Sequence, residues 1–192
     1  STTLDDAAGE TFDKGAKILE LCQPGGPEIE KYGSKGNENA FKLPRPMYKS
    51  NNPNFSFSGL KTAFSKVVNK TNLKDNKHHL AASLQSAISD CIVDRTRLGI
   101  NIFKKMLSKQ KIKLVVAGGV ASNSKIRKEL EILTYNEKID FFAPPLNLCT
   151  DNGAMIAWAG FEKFNSYGGS SLDFKPRPRW PLDPEAFKLN PT

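Results

Sequence analysis

Apolar residues recur at helical spacing through most of this chain and alternate only in short stretches. Ala8, Phe12, Ala16 and Leu19 share one face of a helix expected over about residues 4–22. Thr3 is its expected cap, with Asp5 and Asp6 in a first turn whose dipole favours acids. Pro24-Gly25-Gly26-Pro27 ends that helix, and a short one over 28–35 follows. Residues 36–54 are rich in Asn, Gly and Pro and read as ordered loop. Phe55-Ser56-Phe57 alternates like a strand fragment. Helix resumes over 59–69, with Leu60, Phe64, Val67 and Val68 inward. A long helix is expected over 78–109, with Leu80, Leu84, Ile88, Ile92 and the Ile100-Ile102-Phe103 cluster on its apolar side. Gly99 stands where it would kink or divide. A buried strand over 113–117, a helix over 123–133 and a strand over 139–143 come next. The last helix, 152–164, is expected to bury Met155, Trp158, Ala159 and Phe161, before an extended Pro/Arg-rich tail from Phe174 to Trp180. Two strands and a fragment are too few to close a sheet, so the missing strands are hidden in loops or lie upstream of Ser1.

A 39% hydrophobic content over 192 residues suits a globular core. No run approaches the ~18–20 apolar residues of a membrane span. The start lacks Met and any leader pattern, so a piece of a longer protein is expected. Cys22, Cys91 and Cys149 are widely spaced, without a CxxC pair, and read as three buried thiols of a reducing compartment.

Charge changes the picture when it is divided along the chain. Residues 1–40 are net −4, residues 41–80 are net +7 and residues 81–120 are net +5; the remainder cancels. The overall +8 is thus a regional basic block, either a solvated face or a surface that attracts polyanions. Phe55 and Phe57 lie within it and read as core.

Two strand-turn-helix junctions carry the candidate chemistry. Gly118-Gly119 precedes a helix that starts near Asn123; the turn is either a tight connection or a place where backbone amides meet a phosphate or ribose. Asn123 is a helix cap or a ribose or adenine contact. Asp151, at the second junction, is a cap or a metal ligand. Asp13 sits mid-helix, where Asp is a poor helix former, and is either solvent-exposed or a hydroxyl acceptor. Gly25 and Gly26 serve as turn formers, or as part of a ligand site with Glu30. His78 and His79 are adjacent, so on a helix they diverge by about 100° and cannot chelate one ion together. Both are expected to be exposed.

Several stretches occur in order: residues 3–14 (Thr-Leu-Asp-Asp-Ala-Ala-Gly-Glu-Thr-Phe-Asp-Lys), Pro24-Gly25-Gly26-Pro27, Leu43-Pro44-Arg45-Pro46-Met47, Phe55 to Ala63, the Gly-Gly-Val turn with Asn123, and Cys149 to Ala157. Together they resemble the tRNA threonylcarbamoyladenosine synthase family, formerly called O-sialoglycoprotein endopeptidases. The resemblance covers about residues 2–182.

The resemblance implies an α/β, actin-like ATPase fold of two ribonuclease-H-like lobes, in the superfamily of Hsp70, actin and sugar kinases. Residues 1–192 would be its C-terminal part, with 27–110 a mostly helical, basic insertion and 111–165 the strand-turn-helix units of the nucleotide site. The implied activity is transfer of a threonylcarbamoyl group from threonylcarbamoyl-AMP to N6 of the adenosine 3′ of the anticodon, in tRNAs reading ANN codons. Asp151 resembles the family's carboxylate metal ligand, for one divalent ion, Zn or Fe. Asp13, Gly26, Glu30 and Asn123 resemble its adenylate-binding positions, with Gly118 and Gly119 in the turn beside them. No catalytic residue is implied, and Lys61 receives no role.

The family's His-x-x-x-His metal helix and its further glycine-rich phosphate loop have no counterpart here, so the chain resembles the C-terminal half and is expected to be inactive alone. Implied partners are tRNA, the enzyme that makes threonylcarbamoyl-AMP, the N-terminal half of the same protein and a second copy in a homodimer; no membrane is expected. Lys61 after Gly59-Leu60 and the ending Pro178 to Leu182 resemble the family's bacterial and organellar branch; the Lys/Asn-rich composition and pI near 9.4 then favour a mitochondrial matrix enzyme, with the bacterial cytoplasm as the alternative. The competing expectations are a small-molecule kinase of the same superfamily and a non-catalytic nucleotide-binding fragment.

Overall fold

The longest apolar periodicity produces the longest element. In the computed structural model, which describes residues 2–107, 111–173 and 175–176, one unbroken helix of 34 residues runs through Gly99. The helices in chain order are α1 (Ala8–Ile18), α2 (Gly25–Gly33), α3 (Ser58–Val68), α4 (Leu73–Met106), α5 (Ser124–Glu137) and α6 (Gly153–Tyr167). Strands β1 (Lys113–Val115) and β2 (Asp140–Phe142) pair in parallel, with Leu114 opposite Phe141. The α5 crossover between them is the connection a parallel pair requires. The chain is thus α/β, mostly helical, with a small parallel sheet.

Two units result. The first ends at Asp151 and the second begins at Asn152. The core of the first unit joins the apolar faces of α1, α3, α4 and α5. Phe12, Ala16, Leu19, Leu60, Phe64, Leu80, Leu84 and Ile88 are all buried. Ile29 of α2 and Ile126, Leu130 and Leu133 of α5 complete it. Gly25 is needed for that packing, because a Cβ there would stand 2.6 Å from Asp13 Cα and 2.7 Å from Phe12 O.

Several expectations are corrected. α1 begins at Ala8, with Ala7 rather than Thr3 at its cap position, and Asp5 and Asp6 precede it. Asp5 instead caps α3. Its carboxylate accepts from Phe57 N at 2.7 Å, Ser58 N at 3.2 Å, and the Ser56 and Ser58 hydroxyls. The strand fragment is reduced to one bridge, Thr3 to Phe55, although Phe57 is buried as expected of core. β1 is not a buried strand: only Leu114 of its three residues is half-buried and Val115 is 67% exposed, because the sheet is covered on one face. Ile102 and Phe103 are exposed near the end of α4. Cys22 is exposed, whereas Cys91 and Cys149 are buried. Burial in α4, with Asp90 beside it, pushes the Cys91 thiol up to about 12, so it stays protonated.

The histidines are not free surface residues. His78 is half-buried, stacks on Tyr32 at 5.0 Å and hydrogen-bonds Tyr32 O through Nδ1. His79 Nδ1 accepts from Asn37 N at 2.9 Å. The second unit contains α6, capped by Asn152, whose side chain accepts from Met155 N. Its Met155, Trp158, Ala159 and Phe161 are exposed, not buried, because a lone helix offers them no second layer. No helix among the described residues is long and apolar enough to cross a membrane. The Phe174–Trp180 tail and the Pro178–Leu182 ending lie largely or wholly outside the described residues.

The Asp5 cap gives a test with a defined sign. Burial acts to raise its pKa, but the amide of Phe57 and the hydroxyls of Ser56 and Ser58 outweigh it and hold the carboxyl below its ordinary value. Its stabilisation is therefore present above the ordinary carboxylate pKa and lost as pH falls through the lower folded value. Asp5→Ala is expected to cost about 1 kcal/mol at pH 7, the usual worth of a cap. Urea denaturation at pH 7 and pH 3 should find a smaller gap between variant and parent at the lower pH.

Candidate functional site

A cavity of about 310 Å³ opens where the N-terminal ends of α2 and α5 meet α1. The volume lies at the small end of those that hold small-molecule ligands. One wall is Gly9, Phe12 and Asp13 of α1; a second is Pro24, Gly26, Pro27 and Glu30; the third is Gly119, Val120, Ser122 and Asn123, with Thr150 at the edge. Apolar surfaces from Phe12, Val120 and the two prolines thus face a few polar groups, the usual make-up of a ligand pocket.

Each polar side chain is positioned by a helix start. Asp13 Oδ1 accepts from Gly25 N at 2.7 Å, so its mid-helix place is explained first by the unpaired amides of α2. Glu30 Oε1 accepts from Ser124 N at 2.9 Å and from the Ser124 hydroxyl, tying α2 to the start of α5. Each carboxylate keeps a second oxygen with no protein hydrogen bond among the described residues. Gly118 has φ +90°, a left-handed conformation that favours glycine, and the 3₁₀ turn Gly119–Ser122 leads from it to Asn123.

Asn123 does two things at once. Its Oδ1 accepts from Ile126 N at 3.1 Å as the α5 cap, and from Gln85 Nε2 of α4 at 3.0 Å. The residue is 4% exposed, and its Nδ2 is buried without a protein partner. A buried amide donor left unpaired costs about 1–3 kcal/mol. The same residue lines the cavity.

Of the residues singled out from the sequence, Asp13, Gly26, Glu30, Gly119 and Asn123 line one cavity. Gly118 shapes the turn but does not line it, and Asp151 is exposed, one residue beyond Thr150. Among the described residues no three His, Cys, Asp or Glu side chains gather as a metal site. Positioning residues with no sequence signal also emerge. Arg127 donates to Ala121 O, Pro144 O and Cys149 Sγ, fastening the glycine turn to the segment that carries Thr150. Ser124 and Gln85 hold Glu30 and Asn123. Only their separation in the chain concealed them.

The architecture and cavity define an α/β protein with a small-ligand pocket at helix N-termini. The family model for tRNA N6-adenosine threonylcarbamoyltransferase matches residues 1–158, and the chain belongs to that family. It is similar to the tRNA N6-adenosine threonylcarbamoyltransferases of Pelagibacter ubique (46% identical, covering 98% of this chain and 53% of the relative) and Rhodospirillum rubrum (47%, 97% and 52%). That of Erythrobacter litoralis is 49% identical, over 97% of this chain and 52% of the relative. The chain therefore spans about half the length of these curated relatives.

Neighbouring glycines differ in packing. A Cβ on Gly25 collides with α1 backbone, whereas one on Gly26 meets nothing within 4 Å. Gly25→Ala is expected to lose about 1–3 kcal/mol of stability through overpacking. Gly26→Ala is expected to unfold at or slightly above the parent's midpoint, and thermal denaturation of the two variants would read the difference.

Proposed function

We propose that this chain carries the adenylate pocket of a tRNA-modifying acyltransferase with an actin-like ATPase fold. The reaction is transfer of a threonylcarbamoyl group from threonylcarbamoyl-AMP to N6 of the adenosine 3′ of the anticodon, in tRNAs reading ANN codons. The observation that carries this reading is the buried, unpaired Nδ2 of Asn123 at the wall of a cavity that also holds two half-committed carboxylates.

The roles follow from those groups. Asn123 Nδ2 donates to an acceptor on the nucleotide. The second oxygens of Asp13 and Glu30 accept from ribose hydroxyls, while their first oxygens stay fixed on Gly25 N and Ser124 N. The open backbone at Gly26 and Gly119 allows close approach of the ligand, and the helix start beside it favours phosphate. In the transfer itself, the N6 nitrogen attacks the activated acyl carbon. The bond from that carbon to the phosphate oxygen breaks, AMP leaves with the electron pair, and N6 loses a proton. Binding the adenylate rigidly in place is what this chain contributes; no group here is assigned to the proton.

The family resemblance implies a divalent ion, Zn or Fe, with Asp151 as one ligand. A single carboxylate is too few donors for a stable site, so the remaining ligands belong to the N-terminal half, and no step is derived through the ion. When bound, such an ion neutralises phosphate charge and polarises an oxygen. Transfer requires tRNA, the enzyme that supplies threonylcarbamoyl-AMP and the N-terminal half. The Lys/Asn-rich composition and a pI near 9.4 favour the mitochondrial matrix version of the enzyme, which the resemblance implies is a homodimer.

Asn123→Asp tests the reading. It keeps a cap oxygen for Ile126 N but replaces the unpaired donor with an acceptor. AMP affinity measured by calorimetry should fall about tenfold, near the worth of one buried hydrogen bond; unchanged affinity would remove the basis of the proposal. Zinc titration of this chain should show no tight stoichiometric site, and should show one when the N-terminal half is restored.

A further inference from the structure

The loop between α2 and α3 is not used by the adenylate pocket, yet it is built with care. Arg95, 3% exposed in α4, donates to Ser50 O at 2.8 Å and to Asn52 O. Asp94 beside it accepts from Lys49 N at 3.0 Å. Arg45 pairs with Asp90 at 2.8 Å, and Cys91 donates to Pro46 O. These contacts from one face of α4 hold Met47 at φ +61° and Lys49 at φ +59°, conformations that cost energy in non-glycine residues. Residues held so are commonly kept for what they present.

What the loop presents is basic and aromatic. Tyr48 is 47% exposed, with Lys49 Nζ 5.5 Å from its ring centre. Lys49, Asn51 and the exposed Arg97 of α4 line one shallow depression, which Asp94 also lines with its charge paired to Arg95. Residues 41–80 contain a single acid, Asp75, and Arg45 is their only cation in an ion pair among the described residues. A folded surface that leaves so many lysines without counter-charges attracts a polyanion. An exposed Tyr among them favours a nucleic acid with unstacked bases over a featureless one.

We propose that the loop over residues 45–52, with Arg97, is a contact surface for RNA: Lys49 and Arg97 hold phosphates, and Tyr48 stacks on an unpaired base. This deepens the proposed function and rests on its RNA substrate. The loop connects physically to the adenylate pocket. Pro46 lies 4.0 Å from the Cβ position of Gly59, the α3 start around Gly59 is capped by Asp5, and Gly9 four residues later lines the cavity.

The test is fluorescence anisotropy of a labelled tRNA anticodon stem-loop over a series of salt concentrations, with AMP calorimetry and thermal midpoints on the same variants of the full chain. Lys49→Gln with Arg97→Gln should lower the log–log salt slope by about 2, one for each phosphate contact. Tyr48→Ala should weaken RNA binding about tenfold while Tyr48→Phe restores it. Lys128→Gln with Lys138→Gln, an equal change of charge at two exposed positions, should leave affinity near the parent's. AMP affinity and midpoints should not move. If the parent binds RNA and AMP but the loop variants match it, this surface is wrong and the adenylate reading stands. If the parent binds AMP but no RNA, both this surface and the RNA substrate fall. Losses equal for heparin, with no effect of Tyr48→Ala, would mark a general polyanion patch and overturn the RNA assignment.

Discussion

Every helix start leaves amide groups without partners, and at α2, α3 and α5 side chains distant in the sequence supply partners. Asp5 serves α3 from 52 residues away, Asp13 serves α2, and Glu30 reaches across 94 residues to Ser124 at the start of α5. Asn123 completes the set by capping α5 while joining Gln85 of α4. These bonds decide which helix ends lie together, and the cavity is the space they enclose. Asp13, Glu30 and Asn123 thereby hold helix starts and line the cavity at once. In Asp13 and Glu30 one oxygen is spent on the fold and one is left over, whereas both oxygens of Asp5 are engaged.

The helical elements were legible because their apolar spacing is strong. Leu60, Phe64 and Val68 in α3, and Leu80, Leu84 and Ile88 in α4, are buried as their periodicity requires. The loop over residues 36–54 also reads correctly, from its Asn, Gly and Pro. Errors arise where the partner is remote. Asp5 and Asp6 look like first-turn acids because local spacing carries no trace of a helix start 52 residues later. Burial of Trp158 and Phe161 was inferred from hydrophobicity alone, which says nothing about whether a second layer exists.

The pocket was partly legible. Asp13 announced itself as a poor helix former, and Gly118-Gly119 as a turn, but neither established a ligand. The physical reason for Gly25 is a backbone approach of 2.6 Å, invisible in sequence, whereas Gly26 beside it has open space. Arg127 and Ser124 gave no signal because their work is to hold other groups.

The cavity walls come from residues 9–30 and from 119–150, with the long α4 helix between them. During synthesis the first wall emerges some ninety residues before the second, and α4 must seat before they can meet. A chain that stops before the second wall therefore has no such cavity at all, because Gly119, Val120, Ser122 and Asn123 form one whole side of it.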